Sequence, residues 1–215
     1  MKKLLILIFI SSYSLIFAEN LKSVRVEVSP IPFKDASMIQ SSQSYDNIYL
    51  NAQIIDDIDL QKGYFDENLS SDKIIPVLVY ITNYNKQKIV VNGLETSLIL
   101  NGENLKRIEP KNVINSYISK LQAKFTAINV GMGIWSLGIF NLVGASDADE
   151  IAFIEDIRNI FYNKTLKHKV LLPGETTSGF VYFTKEKDIK KEGTFNIPIE
   201  YTNSLKKVSV SANIY

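Results

Sequence analysis

From Phe125 to Ala145 the chain runs 21 residues without a charged side chain, and on both sides of that run the hydrophobic pattern is that of β-strands. Wound as a helix, the run reaches about 31 Å, enough to cross a bilayer core. Its apolar side chains contribute roughly −4 kcal/mol to insertion, at about −0.3 to −0.6 each. Asn129, Ser136, Asn141 and four glycines oppose that. Topology decides the matter. Strands before residue 100 and after residue 167 are expected to share one β-sheet body, so a single crossing would put its halves on opposite sides of a membrane. The next segment carries Asp147, Asp149, Glu150, Glu155, Asp156 and Arg158, which bars a return crossing. The expectation is therefore a helix that does not span.

Two readings of the run stand side by side. In one it is a buried helix packed on its own body. In the other it presents apolar surface to a membrane or to a partner. Ala127, Gly131, Gly138 and Ala145 fall within about 40° of one another on a helical wheel, a smooth strip that lets a second helix approach closely. With Trp135 and Phe140 they make up the candidate interaction surface. The approaching helix can come from the same chain or from a second copy in a homo-oligomer.

The flanking pattern has period two. Val24, Val26 and Val28 alternate with Arg25 and Glu27 up to Pro30 and Pro32. Residues 35–46 are rich in Ser, Gln and Asp and read as loop, and Tyr49 to Ile55 as a weaker strand. Ile74 to Asn83 is dense in β-branched and aromatic residues and predicts the strongest strand. After the polar turn Tyr84–Gln87, Lys88 to Val91 is expected to return. Leu94 to Leu100 follows, closed by Asn101-Gly102, a favoured hairpin dipeptide. The spacing then becomes helical. Pro110 suits a first turn, and Val113, Ile114, Tyr117, Ile118, Leu121, Phe125 and Ile128 form a stripe. Ser146 with Asp147 and Asp149 starts a second helix, with Ile151, Ile154, Ile157 and Phe161 on one face. Strands resume at Lys167–Leu172, Gly179–Thr184, Gly193–Tyr201 and Leu205–Ala212, with Pro173-Gly174 placed for a type II turn. Eight or nine short strands without strand–helix alternation predict an antiparallel β-sandwich.

The run Leu172-Pro173-Gly174-Glu175-Thr176 followed by Gly179-Phe180-Val181-Tyr182-Phe183 resembles a turn and strand of uncharacterised bacterial cell-envelope proteins with an immunoglobulin-like sandwich. Val77-Leu78-Val79-Tyr80-Ile81-Thr82-Asn83 is similar to a second strand of theirs, and a Gly-rich apolar helical insertion lies between the two, as here. The resemblance implies a mainly β, immunoglobulin-like antiparallel sandwich with an inserted α-helical hairpin. It brings no catalytic residues.

Residues 1–18 read as an export signal. Lys2 and Lys3 precede the apolar core Leu4–Ile10, and Ala18 suits cleavage before Glu19. The expected organisation is thus a leader over 1–18 and a β-sandwich domain over 19–215, interrupted by a helical insertion at 110–164. The leader takes two of the 24 basic residues with it, leaving 22 against 23 acidic ones. A net charge near −1 gives no electrostatic case for nucleic acid. Export without a cysteine fits a periplasmic or cell-envelope protein that does without disulfides.

The chain's chemistry is sparse. No cysteine and one histidine, His168, exclude thiol catalysis, cysteine-ligated zinc and any site needing two histidines. His168 lies between Lys167 and Lys169 and reads as a surface residue. Gly174 to Gly179 lacks the lysine and hydroxyl of a phosphate loop, since Phe180 and Val181 follow. Gly131-Met132-Gly133 has no preceding strand to make it a dinucleotide site. Asp56, Asp57 and Asp59, and Asp147, Asp149 and Glu150, lack calcium-loop spacing and read as a solvated turn and a helix start. No cofactor or metal is expected. Tyr45, Tyr64 and Phe65 sit in loop-like segments, where sandwiches often bind ligands. The expected function is a non-enzymatic binding or structural module of the envelope, contacting an envelope protein or a membrane surface through the hairpin. One alternative is a carboxylate-dependent hydrolase or carbohydrate-active protein using Glu175 or the Asp56–Asp59 group. Another is an assembly subunit joined by strand addition at a sandwich edge.

Overall fold

A computed structural model describes residues 28–131, 147–185 and 192–214. The expected leader, most of the strand expected at 24–28, and residues 132–145 of the uncharged run lie outside them. Ten strands and three helices follow in chain order: β1 (Gln43–Tyr45), β2 (Ile48–Ile54), α1 (Ile58–Phe65), β3 (Ile74–Asn83), β4 (Ile89–Val91), β5 (Ser97–Leu100), β6 (Glu103–Ile108), α2 (Pro110–Gly131), α3 (Asp147–Lys164), β7 (Lys169–Leu171), β8 (Thr176–Thr184), β9 (Gly193–Tyr201) and β10 (Lys207–Ile214). The fold is mainly β and antiparallel. Its strands join in one sheet of order β1-β2-β3-β8-β6-β5-β9-β4-β7, with β10 on the other side of β9.

Proline placement explains two features of that order. Pro76 lies inside β3, which pairs on both sides, yet its carbonyl accepts from Ile55 N at 2.9 Å, one residue past the end of β2. The missing N–H therefore faces the point where β2 has already stopped. In β9, residues 193–196 pair with β5 and residues 199–201 with β4. Pro198 sits in the gap between these two partners. β6 hands the sheet on in a similar way: Glu103 to Leu105 pair with β5, and Lys106 to Ile108 with β8. At the far edge, β10 lies against β1 and β2. The Gln43 side-chain amide can donate to Ser211 O and accept from Asn213 N there.

Turns follow their residues. Asn101 and Gly102 have φ of 49° and 80°, as a type I′ hairpin requires. Gly174 has φ 85° and Glu175 N bonds Leu172 O at 3.0 Å, which completes the expected type II turn. One local reading fails. Lys88–Val91 does not return against β3, because β4 pairs with β7 and β9 instead. A short strand holds no information about which distant strand offers it an edge.

β3 is buried at every residue, so both faces of this part of the sheet are covered. Val77, Val79 and Ile81, with Val181 and Phe183 of β8, join an aliphatic cluster that also takes in Leu98, Phe195, Ile197, Ile199 and Val210. The opposite face of β8 carries Phe180 and Tyr182. Phe65 stacks there on Phe161 (centroids 5.4 Å, planes 7° apart) and meets Phe180 edge-on at 4.7 Å. Tyr64 meets Phe180 at 5.2 Å. Gly179 is the small residue that lets the chain cross this sheet. A Cβ added there would lie 2.4 Å from Leu166 Cα, where Leu166 N bonds Phe180 O.

The segment holding Tyr64 and Phe65 is helix, not loop. Asp57 starts it by accepting from Asp59 N and Leu60 N at 2.8 and 2.9 Å, an N-cap where a solvated turn was expected. The described residues of 28–113 and 161–214 form one compact unit, and those of 114–131 and 147–160 belong to another. In the second, Ile114, Tyr117 and Ile157 are buried, as their helical spacing predicts. Among the described residues no helix is long and apolar enough to cross a membrane.

Candidate functional site

Five segments of the β-body meet at one end, held by polar side chains. They are the β1–β2 turn, the β3–β4 turn, the β7–β8 turn, the β9–β10 turn and the 3-10 turn Ala36–Met38. Asn83, fully buried, is the hub. Its Nδ2 donates to Gln87 O at 2.9 Å and Leu171 O at 3.1 Å, and its Oδ1 accepts from Asn85 N at 3.0 Å. Asn85 Nδ2 donates to Asp46 O at 2.9 Å, and Tyr201 OH donates to Asp46 Oδ2 at 2.7 Å. Thr202 N bonds Lys88 O at 3.1 Å, which joins the β3–β4 and β9–β10 turns. Buried amides that are fully bonded fix a single loop geometry.

The carboxylates here hold the turns. Tyr84 OH donates to Asp35, whose other oxygen accepts from Ser37 N and Ser37 Oγ at 2.9 and 2.8 Å. The Tyr84 hydroxyl holds the Asp35 carboxyl below its ordinary range, and the same bond raises the Tyr84 phenol. Burial, with the Asp46 bond second, raises the Tyr201 phenol. Glu175 Oε2 accepts from Leu172 N at 2.9 Å and clamps its own turn. Tyr45, Tyr84, Leu172 and Leu205 face solvent at this end, together with the polar Asp46, Asn47, Lys86, Lys88 and Lys206.

A second built feature lies at the ends of α1 and α3. Lys164 is 8% exposed. Its Nζ donates to Ser29 O at 2.7 Å and to Tyr64 O, and sits 5.6 Å from the Tyr64 ring centroid. The charge faces carbonyls at a helix C-terminus, a favourable place for a cation. Burial nevertheless brings its pKa down to about 8. Ser29 N also bonds Gly63 O at 2.7 Å, so the segment entering the β-body is fastened twice to the last turn of α1.

The residues singled out from sequence are distributed as follows. Ala127 and Gly131 lie in the last turns of α2, while Trp135, Gly138, Phe140 and Ala145 lie outside the described residues. Tyr45 reaches the loop end. Tyr64 and Phe65 do not converge with it; they close the aromatic face instead. Asp57 caps α1. His168 is exposed and lines a depression of about 40 Å³ with Glu95, Glu200 and Lys207, room for a few waters. Among the described residues no group of three His, Cys, Asp or Glu is placed to hold a metal. The Asp46-Asn47 turn was missed, although both residues tolerate their positive φ of 50° and 59°. Its signal was that residue pair inside a Ser- and Gln-rich segment.

No family model and no curated protein matches this chain. Among solved structures it is similar to the Bacillus subtilis protein ycdA, provisionally described as a lipoprotein, with 10% identity and a TM-score of 0.38. The similarity covers 81% of this chain and 39% of that one, so this chain spans about two fifths of its neighbour's length.

Proposed function

We propose that the chain is an exported, non-enzymatic binding or structural protein of a bacterial cell envelope. It is addressed outward by residues 1–18 and built as an immunoglobulin-like sandwich with a helical hairpin over 110–164. Its hairpin surface, from Ala127 through Trp135 and Phe140 to Ala145, meets a membrane or an envelope partner. The observation that supports binding over catalysis is the fate of the carboxylates at the loop end. Asp35, Asp46 and Glu175 each accept hydrogen bonds that fix a turn. A general acid–base pair needs carboxyl groups free to exchange protons with a substrate.

Cell fractionation tests the reading. The full chain should be recovered in the envelope fraction with Glu19 at its N-terminus, and deletion of residues 125–145 should release it or abolish self-association on sedimentation. An unprocessed chain in the cytosol would overturn the export claim. Unchanged flotation and sedimentation after the deletion would overturn the role of the hairpin.

A further inference from the structure

The β9–β10 turn is built against its own backbone preference. Leu205 N bonds Tyr201 O at 2.8 Å and Tyr201 N bonds Lys206 O at 3.0 Å, closing the loop with Leu205 at φ 51°. That left-handed conformation crowds the Cβ of an L-residue and normally falls to glycine or asparagine. The other hairpin tips obey the rule, with Asp46-Asn47 and Asn101-Gly102. Here the strained position carries a leucine, and its side chain is 72% exposed. Folding gains nothing from that choice on either count.

Its surroundings indicate a use. The β3–β4 turn, tied to this one through Thr202 and Lys88, presents Tyr84, 47% exposed. Lys86, Lys88 and Lys206 are exposed on the same two turns; residues 84–88 and 202–206 include no acid, and the adjoining Asp35 and Asp46 carboxylates are each bonded by a tyrosine hydroxyl, of Tyr84 and Tyr201. None of the three lysines is in an ion pair among the described residues, whereas neighbouring Lys207 pairs with Glu200 at 3.7 Å. We infer that these two turns dock on an anionic bilayer surface, with Leu205 and the Tyr84 ring entering the headgroup layer and the three lysines meeting lipid phosphates. A soluble polyanion would satisfy the lysines but leave Leu205 without a role. A bilayer serves both, because apolar side chains gain by reaching the acyl boundary while lysines stay at headgroup level.

Vesicle flotation of the full chain, as recovered after export, tests the inference with phosphatidylcholine vesicles lacking or containing phosphatidylglycerol. Binding is expected only with the anionic lipid. Replacing Lys86, Lys88 and Lys206 together by Gln should weaken it on the order of 100-fold. Leu205→Gly should weaken binding about tenfold and raise Tm by about 2–4 °C through relief of the left-handed leucine. That opposition separates a contact residue from a structural one. Absence of vesicle binding, equal binding to neutral vesicles, or binding that both variants leave unchanged would each overturn the inference. The last two outcomes would direct attention to residues 125–145 as the membrane contact.

Discussion

The two faces of β3 and β8 are covered by different means. On one face, aliphatic residues from strands distant in sequence interlock around Val79, Val181 and Ile197. On the other, Phe180 and Tyr182 meet Phe65 of the two-turn helix α1, and Tyr182 also meets Phe161 of α3. The first face is held by many strands at once. The second depends on a few large side chains, so single substitutions should reach it more easily. A long strand that reads as uniformly apolar announces burial on both sides, but it does not say what supplies the second cover.

Phe65→Ala tests that asymmetry hardest. Phe65 touches Phe161, Phe180 and Tyr182, so its loss should destabilise the chain by about 4 kcal/mol in denaturant unfolding. Val79→Ala on the aliphatic face should cost less, about 2 kcal/mol. Equal costs would erase the distinction between the faces. Gly179→Ala comes next, at about 3 kcal/mol, since the added methyl collides with Leu166 backbone rather than with a movable side chain. A neutral outcome there would mean that the 165–166 crossing is loosely held.

A pH-dependent effect is the most diagnostic. Lys164 has a folded pKa lowered from 10.5 to about 8 by burial. Between those values the unfolded chain binds a proton that the folded chain has released, so stability rises with pH. Relative to Lys164→Met, the wild type should gain up to about 1.4 kcal/mol per pH unit from pH 8 toward 10.5. The gain is complete above 10.5 and lost as pH falls through 8. A flat difference across that window would place the amine in water rather than against Ser29 and Tyr64.

Much of the aliphatic face was legible. Ile74–Asn83 and Gly193–Tyr201 were bounded as they stand, because β-branched density and alternation are local signals. The aromatic face was not. α1 reads Ile-Asp-Leu-Gln-Lys-Gly-Tyr-Phe, too short and too polar for a periodic stripe, and its glycine argues against a helix. Only the tertiary aromatic contacts make it worth forming. β6 was missed for the same reason, since Glu-Asn-Leu-Lys-Arg-Ile becomes strand through the two edges it joins. At the loop end Tyr45 was noticed by type. Its convergence with Tyr84 and Leu205 depends on long-range register, which no local pattern encodes.

Native-state hydrogen exchange across α1 and β8 tests most directly whether the aromatic face is a second core. The account predicts that the amides near Phe65 are protected nearly as well as those of Phe180 and Tyr182, and that Phe65→Ala lowers both together. Free exchange along α1 while β8 stays fully protected would contradict it, leaving α1 a surface attachment and the aromatic face without a cooperative role.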